Sequence, residues 1–289
     1  MKRSLLILTM LGICLTIFAE GILLRTMRAK ALTGDSNAQI MLGDAYYFGV
    51  GTDKDQAEAL IWWLMAAQQG NKEIQYKVGN SYFYGEGTAA DTTMALHWYR
   101  MSAEQDYPEA QFKLGECYYL GIGVSRDLAE AVQWFSLAAE GGHVWAQNIL
   151  ADCLFVGKGT DRDPAEAERW YSYAANQGFD WAQFRLGHRY HQGIGVDQDD
   201  KKAFHWYQKA AQQDYPPALK ALGEMYLSGT GTGRNPRLAL LHFILARLRD
   251  DSMAEQLAES VAAAESALTE AEIIQAGKDA QLRYDRYLR

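Results

Sequence analysis

Three sets of side chains in this chain have types and spacings that could do chemistry. His188 and His191 stand three residues apart, with Asp152 lying 36 residues before His188 and Glu224 36 residues after it. Imidazole and carboxylate groups brought together in this way can hold Zn²⁺. Two histidines with carboxylates on other elements do not specify such a site, so no metal and no other cofactor is assigned. Cys117 and Cys153 are also 36 residues apart. Stacked helices lie about 8–10 Å apart, whereas a disulfide needs Cα atoms within about 7 Å. Small unpaired side chains are therefore expected there. Third, Gly-x-Gly recurs at Gly49/Gly51, Gly85/Gly87, Gly121/Gly123, Gly157/Gly159, Gly193/Gly195 and Gly229/Gly231. Glycine-rich loops can cradle phosphate, but no Gly-Lys-Ser/Thr follows any of them. Gly-x-Ser-x-Gly, Ser-x-x-Lys, His-Glu-x-x-His and Cys-x-x-Cys are all absent. The sequence therefore shows no assembled catalytic motif.

The shared interval points to the elements that position these groups. A 36-residue pattern repeats six times without insertion or deletion, over residues 35–70, 71–106, 107–142, 143–178, 179–214 and 215–250. A fixed period of this length marks an array of stacked supersecondary units. Within each unit Ala110, Leu114 and Tyr118, or their equivalents, share one stripe of a first helix. Gly-x-Gly ends that helix through the left-handed conformation. Asp55, Asp91, Asp127, Asp163, Asp199 or Asn235 then caps a second helix. Glu58, Glu130 and Glu166 stand at capping-box spacing from their aspartates. On the second helix Ala131, Trp134, Phe135 and Ala138 form the expected core stripe. Trp134 is thus expected in the core, at a cost of about 3–5 kcal/mol if truncated to alanine. After residue 250 the array closes with residues 251–289 as capping helices, one capped by Ser252 and one opened by the Thr269/Glu272 box.

The pattern Ala-x-x-x-Leu-Gly-x-x-Tyr-x-x-Gly-x-Gly, followed by Asp, Ala, Trp-Tyr and Ala-Ala, resembles the Sel-1-like repeat family, relatives of the tetratricopeptide repeat. The resemblance spans residues 35–250, with departures at Ile74, Ala151, Leu154 and His242. It implies an all-α fold: a right-handed α/α superhelical solenoid of six helix-turn-helix repeats with a helical C-terminal cap. It also implies an adaptor or protein-binding scaffold and does not imply one reaction; with no catalytic motif present, a non-catalytic role is expected. Some repeats of the family have been proposed to bind or hydrolyse cell-wall-like ligands. The alternative reading is therefore a hydrolase or binder using acids such as Glu116 and Asp152.

Lys2-Arg3 followed by the apolar run from Leu5 to Ala19 reads as a secretory signal. Continued through Leu24, the run reads instead as an uncleaved N-terminal anchor. Residues 1–31 are accordingly assigned to targeting or membrane anchoring, and the repeats to a periplasmic or other envelope space. The full chain has a net charge of −8. Residues 1–31 carry +4, so residues 32–289 carry −12. That balance disfavours nucleic acid as a partner.

On the first helix of each unit, offsets 2, 6 and 9 from the Ala lie opposite the core stripe, at about 200°, 240° and 180°. By analogy with tetratricopeptide arrays this side is concave. Offset 9 reads Tyr47, Phe83, Tyr119, Phe155, His191, Leu227. Offset 2 reads Ile40, Tyr76, Phe112, Asn148, Phe184, Lys220. Offset 6 reads Asp44, Asn80, Glu116, Asp152, His188, Glu224. Two aromatic ladders flanking a mostly acidic one suit a protein or extended peptide with apolar and basic side chains. The same rings could equally serve packing between neighbouring units.

Overall fold

The computed structural model describes residues 24–286. These divide into two compact units, one running through His143 and one starting at Val144. The first unit holds α1 (residues 24–32), α2 (Ser36–Phe48), α3 (Gln56–Ala67), α4 (Lys72–Tyr84), α5 (Thr92–Ala103), α6 (Pro108–Leu120) and α7 (Leu128–Glu140). The second holds α8 (Val144–Val156), α9 (Pro164–Asn176), α10 (Asp180–Gln192), α11 (Asp200–Gln212), α12 (Pro216–Ser228) and α13 (Pro236–Arg249). It continues into a 3₁₀ turn at Asp251–Met253, then α14 (Ala254–Glu265) and α15 (Glu270–Arg286). No strand occurs among the described residues. Within each unit the helices pair as hairpins and each hairpin packs on the next, which is the stacking of an α/α solenoid.

Local chemistry sets the helix ends. Gly85 caps α4 at φ 74°, its N–H donating to the Ser81 carbonyl. The second glycine of the pair serves stacking. A Cβ at Gly87 would lie 2.1 Å from the Gln56 carbonyl oxygen of the preceding repeat. Asp55 caps α3 by accepting from the N–H groups of Ala57 and Glu58, both at 3.0 Å. The reciprocal half of the expected capping box does not form. The Asp55 N–H donates instead to the Tyr46 carbonyl at 2.8 Å. The same bond recurs from Asp91 to Tyr82, Asp127 to Tyr118, Asp163 to Leu154, Asp199 to Tyr190 and Asn235 to Tyr226. Glu58 and Glu130, released from the box, accept from the indole N–H of Trp62 and Trp134, at 3.1 and 2.9 Å.

The core is built around the second residue of each aromatic pair. Trp63, Tyr99, Phe135, Tyr171, Tyr207 and Phe243 are all buried. The first residue is less uniform: Trp62 and Trp98 are buried, but Trp134 is only half-buried. Trp134 lies at the helix edge with its N–H on Glu130 one turn back, and Phe135 fills the core of the third repeat. Gly79 and Gly115 give these rings room. A Cβ there would lie 2.6 Å from the Tyr99 ring and 2.5 Å from the Phe135 ring.

A second buried row comes from Gln39, Gln75, Gln111, Gln147 and Gln183 at offset 1. Gln75 donates to the Ala67 carbonyl of the preceding helix at 3.0 Å and accepts from Gln105 at 2.7 Å. Gln39 and Gln183 make the same pair of bonds. Gln39, Gln75, Gln111 and Gln183 each add a second donor to a carbonyl at the preceding helix C-terminus.

Residues 24–31, placed with the leader by sequence, are helical here. Ala31 is fully buried against the cluster of Ala38, Leu42 and Trp62. At the other end α14 and α15 pack on α13, burying Leu257, Ala264, Ala276 and Ala280. Thr269 and Glu272 form the expected reciprocal box. Ser252 is not a helix cap. It donates its N–H and hydroxyl to Asp250, which opens the 3₁₀ turn. Among the described residues no helix is long and apolar enough to cross a membrane.

Candidate partner-binding face

In the first unit, the two aromatic ladders meet over the buried ring of their own repeat. Tyr76 and Phe83 lie 5.9 and 6.2 Å from the Tyr99 ring, centroid to centroid. Phe112 and Tyr119 lie 5.8 and 6.0 Å from the Phe135 ring. Tyr47 lies 5.0 Å from Trp63. In the second unit Phe184 lies 5.5 Å from Tyr207. Every one of these ladder residues is half-buried. Each therefore packs with one part of its ring and presents the rest.

The polar ladder between them has a structural task that helix geometry alone did not reveal. Asp44 accepts from the Trp63 indole N–H at 3.1 Å. Asn80 accepts from the Tyr99 hydroxyl at 2.8 Å. Asp152 accepts from the Tyr171 hydroxyl at 2.5 Å. In all three the acceptor stands 19 residues before the ring it serves. Where that ring is Phe135 or Phe243, the acceptor is not needed. There Glu116 pairs with Lys113 at 2.8 Å, and Glu224 stands 3.9 Å from Lys220.

The second unit carries a denser network. Asp152 also holds Arg185 and Arg189, with contacts of 2.8 and 2.6 Å. Arg189 is buried, lies 3.5 Å over the Tyr171 ring and donates to its hydroxyl in a very short contact. Phe155 is enclosed between Arg162 and Arg189. The Asp152 carboxylate is thus already engaged by the protein's own cations, while Glu116 keeps a single partner on a half-exposed helix face. His191 pairs through Nδ1 with Asp200 at 2.7 Å. Burial first, and then the charges of His191, Arg189 and Arg185, hold His188 below the ordinary imidazole range. Among the described residues no three His, Cys, Asp or Glu side chains converge as a metal site. Cys117 and Cys153 are buried free thiols, each pushed up to about 11 by burial.

Open cavities line this face within each unit. One of about 130 Å³ lies between Tyr47, Trp63, Lys77 and Asn80. A larger one of about 590 Å³ lies between the fifth and sixth repeats. The sequence reading missed an exposed aromatic feature elsewhere. Trp145 and Trp181 stack at 4.0 Å with their planes 13° apart, and Trp145 is 53% exposed. The only sequence signal for that pair is their 36-residue separation, one residue before the Ala of each repeat.

The family model of the Sel1 repeat matches residues 36–71, 73–107, 108–143, 146–179, 182–215 and 216–251. The chain belongs to the Sel1 repeat family. Sel1 repeat arrays are in general protein-interaction scaffolds. Two solved structures are similar to this chain. One is a protective antigen of uropathogenic Escherichia coli displaying the Sel1-like repeat fold. It shares 32% identity over 92% of this chain and 56% of its own, with a TM-score of 0.76. This chain therefore spans little more than half of that antigen's length. The other is a Sel1 repeat protein from Oxalobacter formigenes, at 32% identity over 74% of this chain and 85% of its own, with a TM-score of 0.64. No curated protein matches the chain.

Proposed function

We propose that this Sel1 array is a non-catalytic scaffold of the cell envelope that binds a protein or extended peptide across its ladder face. The observation that carries the reading is the half-burial of Tyr76, Phe83, Phe112 and Tyr119 on the first unit. Rings held by Tyr99 and Phe135 on one side are preorganised, so a partner that covers the other side meets little further loss of side-chain freedom. Glu116, beside them, offers a carboxylate to a basic side chain. Asp152 serves the array itself, which narrows the acidic contribution to the first unit. A hydrolytic role would need two carboxylates free to act on one bond. Here Asp152 is taken up by Tyr171, Arg185 and Arg189, so binding is the better reading. The location rests on Lys2-Arg3 and the apolar run that follows them, and these lie outside the described residues.

A photoreactive benzoylphenylalanine at Tyr76 tests both parts, with Ile61, 53% exposed on the second helix, as the control position. Crosslinking in intact cells followed by fractionation should give one discrete adduct from position 76 in the envelope fraction, and none from position 61. An adduct from position 61 alone would place binding on the other face. An adduct confined to the cytosol would remove the envelope assignment.

A further inference from the structure

The fifth repeat breaks the rule that governs its neighbours. Trp63, Tyr99 and Tyr171 each give their polar hydrogen to an acid or amide 19 residues earlier. For Tyr207 that position is His188. Tyr207 is 2% exposed, yet among the described residues its hydroxyl has no hydrogen-bond partner, and it lines the 590 Å³ cavity. An unused hydroxyl donor on a cavity wall is available to a bound acceptor. His188 and His191 line the same space, and Lys220 supplies the only permanent positive charge in the lining. Phe184, Met225 and Met253 add apolar wall beside these donors. Glu224, 3.9 Å from the Lys220 amine, is the lone carboxylate in the lining.

We infer that this cavity is a carboxylate pocket that takes the C-terminal residue of a peptide. The carboxylate would accept from the Tyr207 hydroxyl, from an imidazole N–H and from Lys220, while the terminal side chain rests against Phe184 and the two methionines. The volume exceeds what a bare anion fills, and the apolar wall gives a side chain somewhere to go. In the lining of this cavity the donors outnumber the one carboxylate. The inference rests on the peptide-binding reading for the nature of the ligand, but the pocket belongs to the second unit alone.

The probe is N-acetyl-alanyl-phenylalanine, titrated into the full chain while the ring signals of His188 and Tyr207 are followed by NMR. The free acid should shift both, and its C-terminal amide should bind at least about tenfold more weakly. Tyr207→Phe keeps the ring and should weaken the acid about tenfold, the loss of one hydrogen bond to a charged group. Glu224→Gln removes the opposing charge and should tighten it. Equal binding of acid and amide, no shift with the acid at tens of millimolar, or an unchanged affinity in Tyr207→Phe would overturn the pocket. Acetate bound as tightly as the dipeptide would overturn the peptide assignment and leave an anion site. The same titration in Phe83→Ala/Tyr119→Ala separates the two ideas. Binding retained there while partner binding is lost shows a pocket independent of the first unit's ladder.

Discussion

Phe135→Ala is expected to destabilise the first unit by about 3–5 kcal/mol, the range for emptying a fully buried aromatic site. Phe135 is 0% exposed and packs against Gly115, Phe112 and Tyr119. Each repeat touches only its neighbours, so the loss should propagate as local opening rather than uniform softening. Hydrogen exchange followed by mass spectrometry checks this. Protection should fall first over α6 and α7 and then over α4 and α5. Trp134→Ala should cost clearly less, since that ring is already half in water. Equal losses in the two variants, or equal loss of protection in all six repeats, would contradict this account of the core.

The second large effect is expected at Asp152. Replacing it with alanine leaves Arg189 buried with its charge unpaired and removes the acceptor of the Tyr171 hydroxyl. Breaking one side of a buried ion pair costs about 3–5 kcal/mol. Asp152 itself is 38% exposed, so water can partly replace it and about 2–3 kcal/mol is expected. Urea unfolding of the second unit reads the change directly. In the double variant Asp152→Ala/Arg189→Met the penalty should shrink, because no stranded charge remains. Glu116→Ala makes the sharper comparison. It stands at the same register but serves no buried ring, so it should change stability by less than about 1 kcal/mol. A loss at Glu116 as large as at Asp152 would show that register, not the network, sets the cost.

The sequence displayed the repeat frame plainly because its signals are local. Gly85 must be left-handed and Asp91 must cap, and each shows itself within a few residues. Counting along a helix fixes angle, so the ladder positions could be picked out, but not that Tyr76, Phe83, Phe112 and Tyr119 pack against the buried Tyr99 and Phe135. What stayed hidden depends on two helices at once. Asp44, Asn80 and Asp152 read as a solvent-facing acidic ladder because nothing within their own helix uses them. Their partners Trp63, Tyr99 and Tyr171 lie 19 residues away across a turn. Gln75 and Gln111 carry no signal within their own helix for the bonds they make across helices in the core. The recurrence of glutamine at one register was visible, but its meaning needed the neighbouring helix end. Trp134 was misplaced because hydrophobic periodicity ranks a tryptophan by its area and does not show how much of the ring the neighbouring helices cover.

On this reading the ladder face, and not another surface, holds the partner. The most direct measurement is the affinity of the partner captured at Tyr76, read by calorimetry for the parent chain and for Phe83→Ala/Tyr119→Ala. Far-UV circular dichroism and the unfolding midpoint confirm that the variant stays folded, since both rings also touch the buried Tyr99 and Phe135. Aromatic anchors in such faces contribute about 2 kcal/mol or more each, which for even one of them is roughly a thirtyfold change in Kd. Affinity reduced by at least about thirtyfold in the folded variant, with Glu116→Gln weakening binding modestly and flattening its salt dependence, is the predicted result. Parent-like affinity in the folded double variant would contradict it.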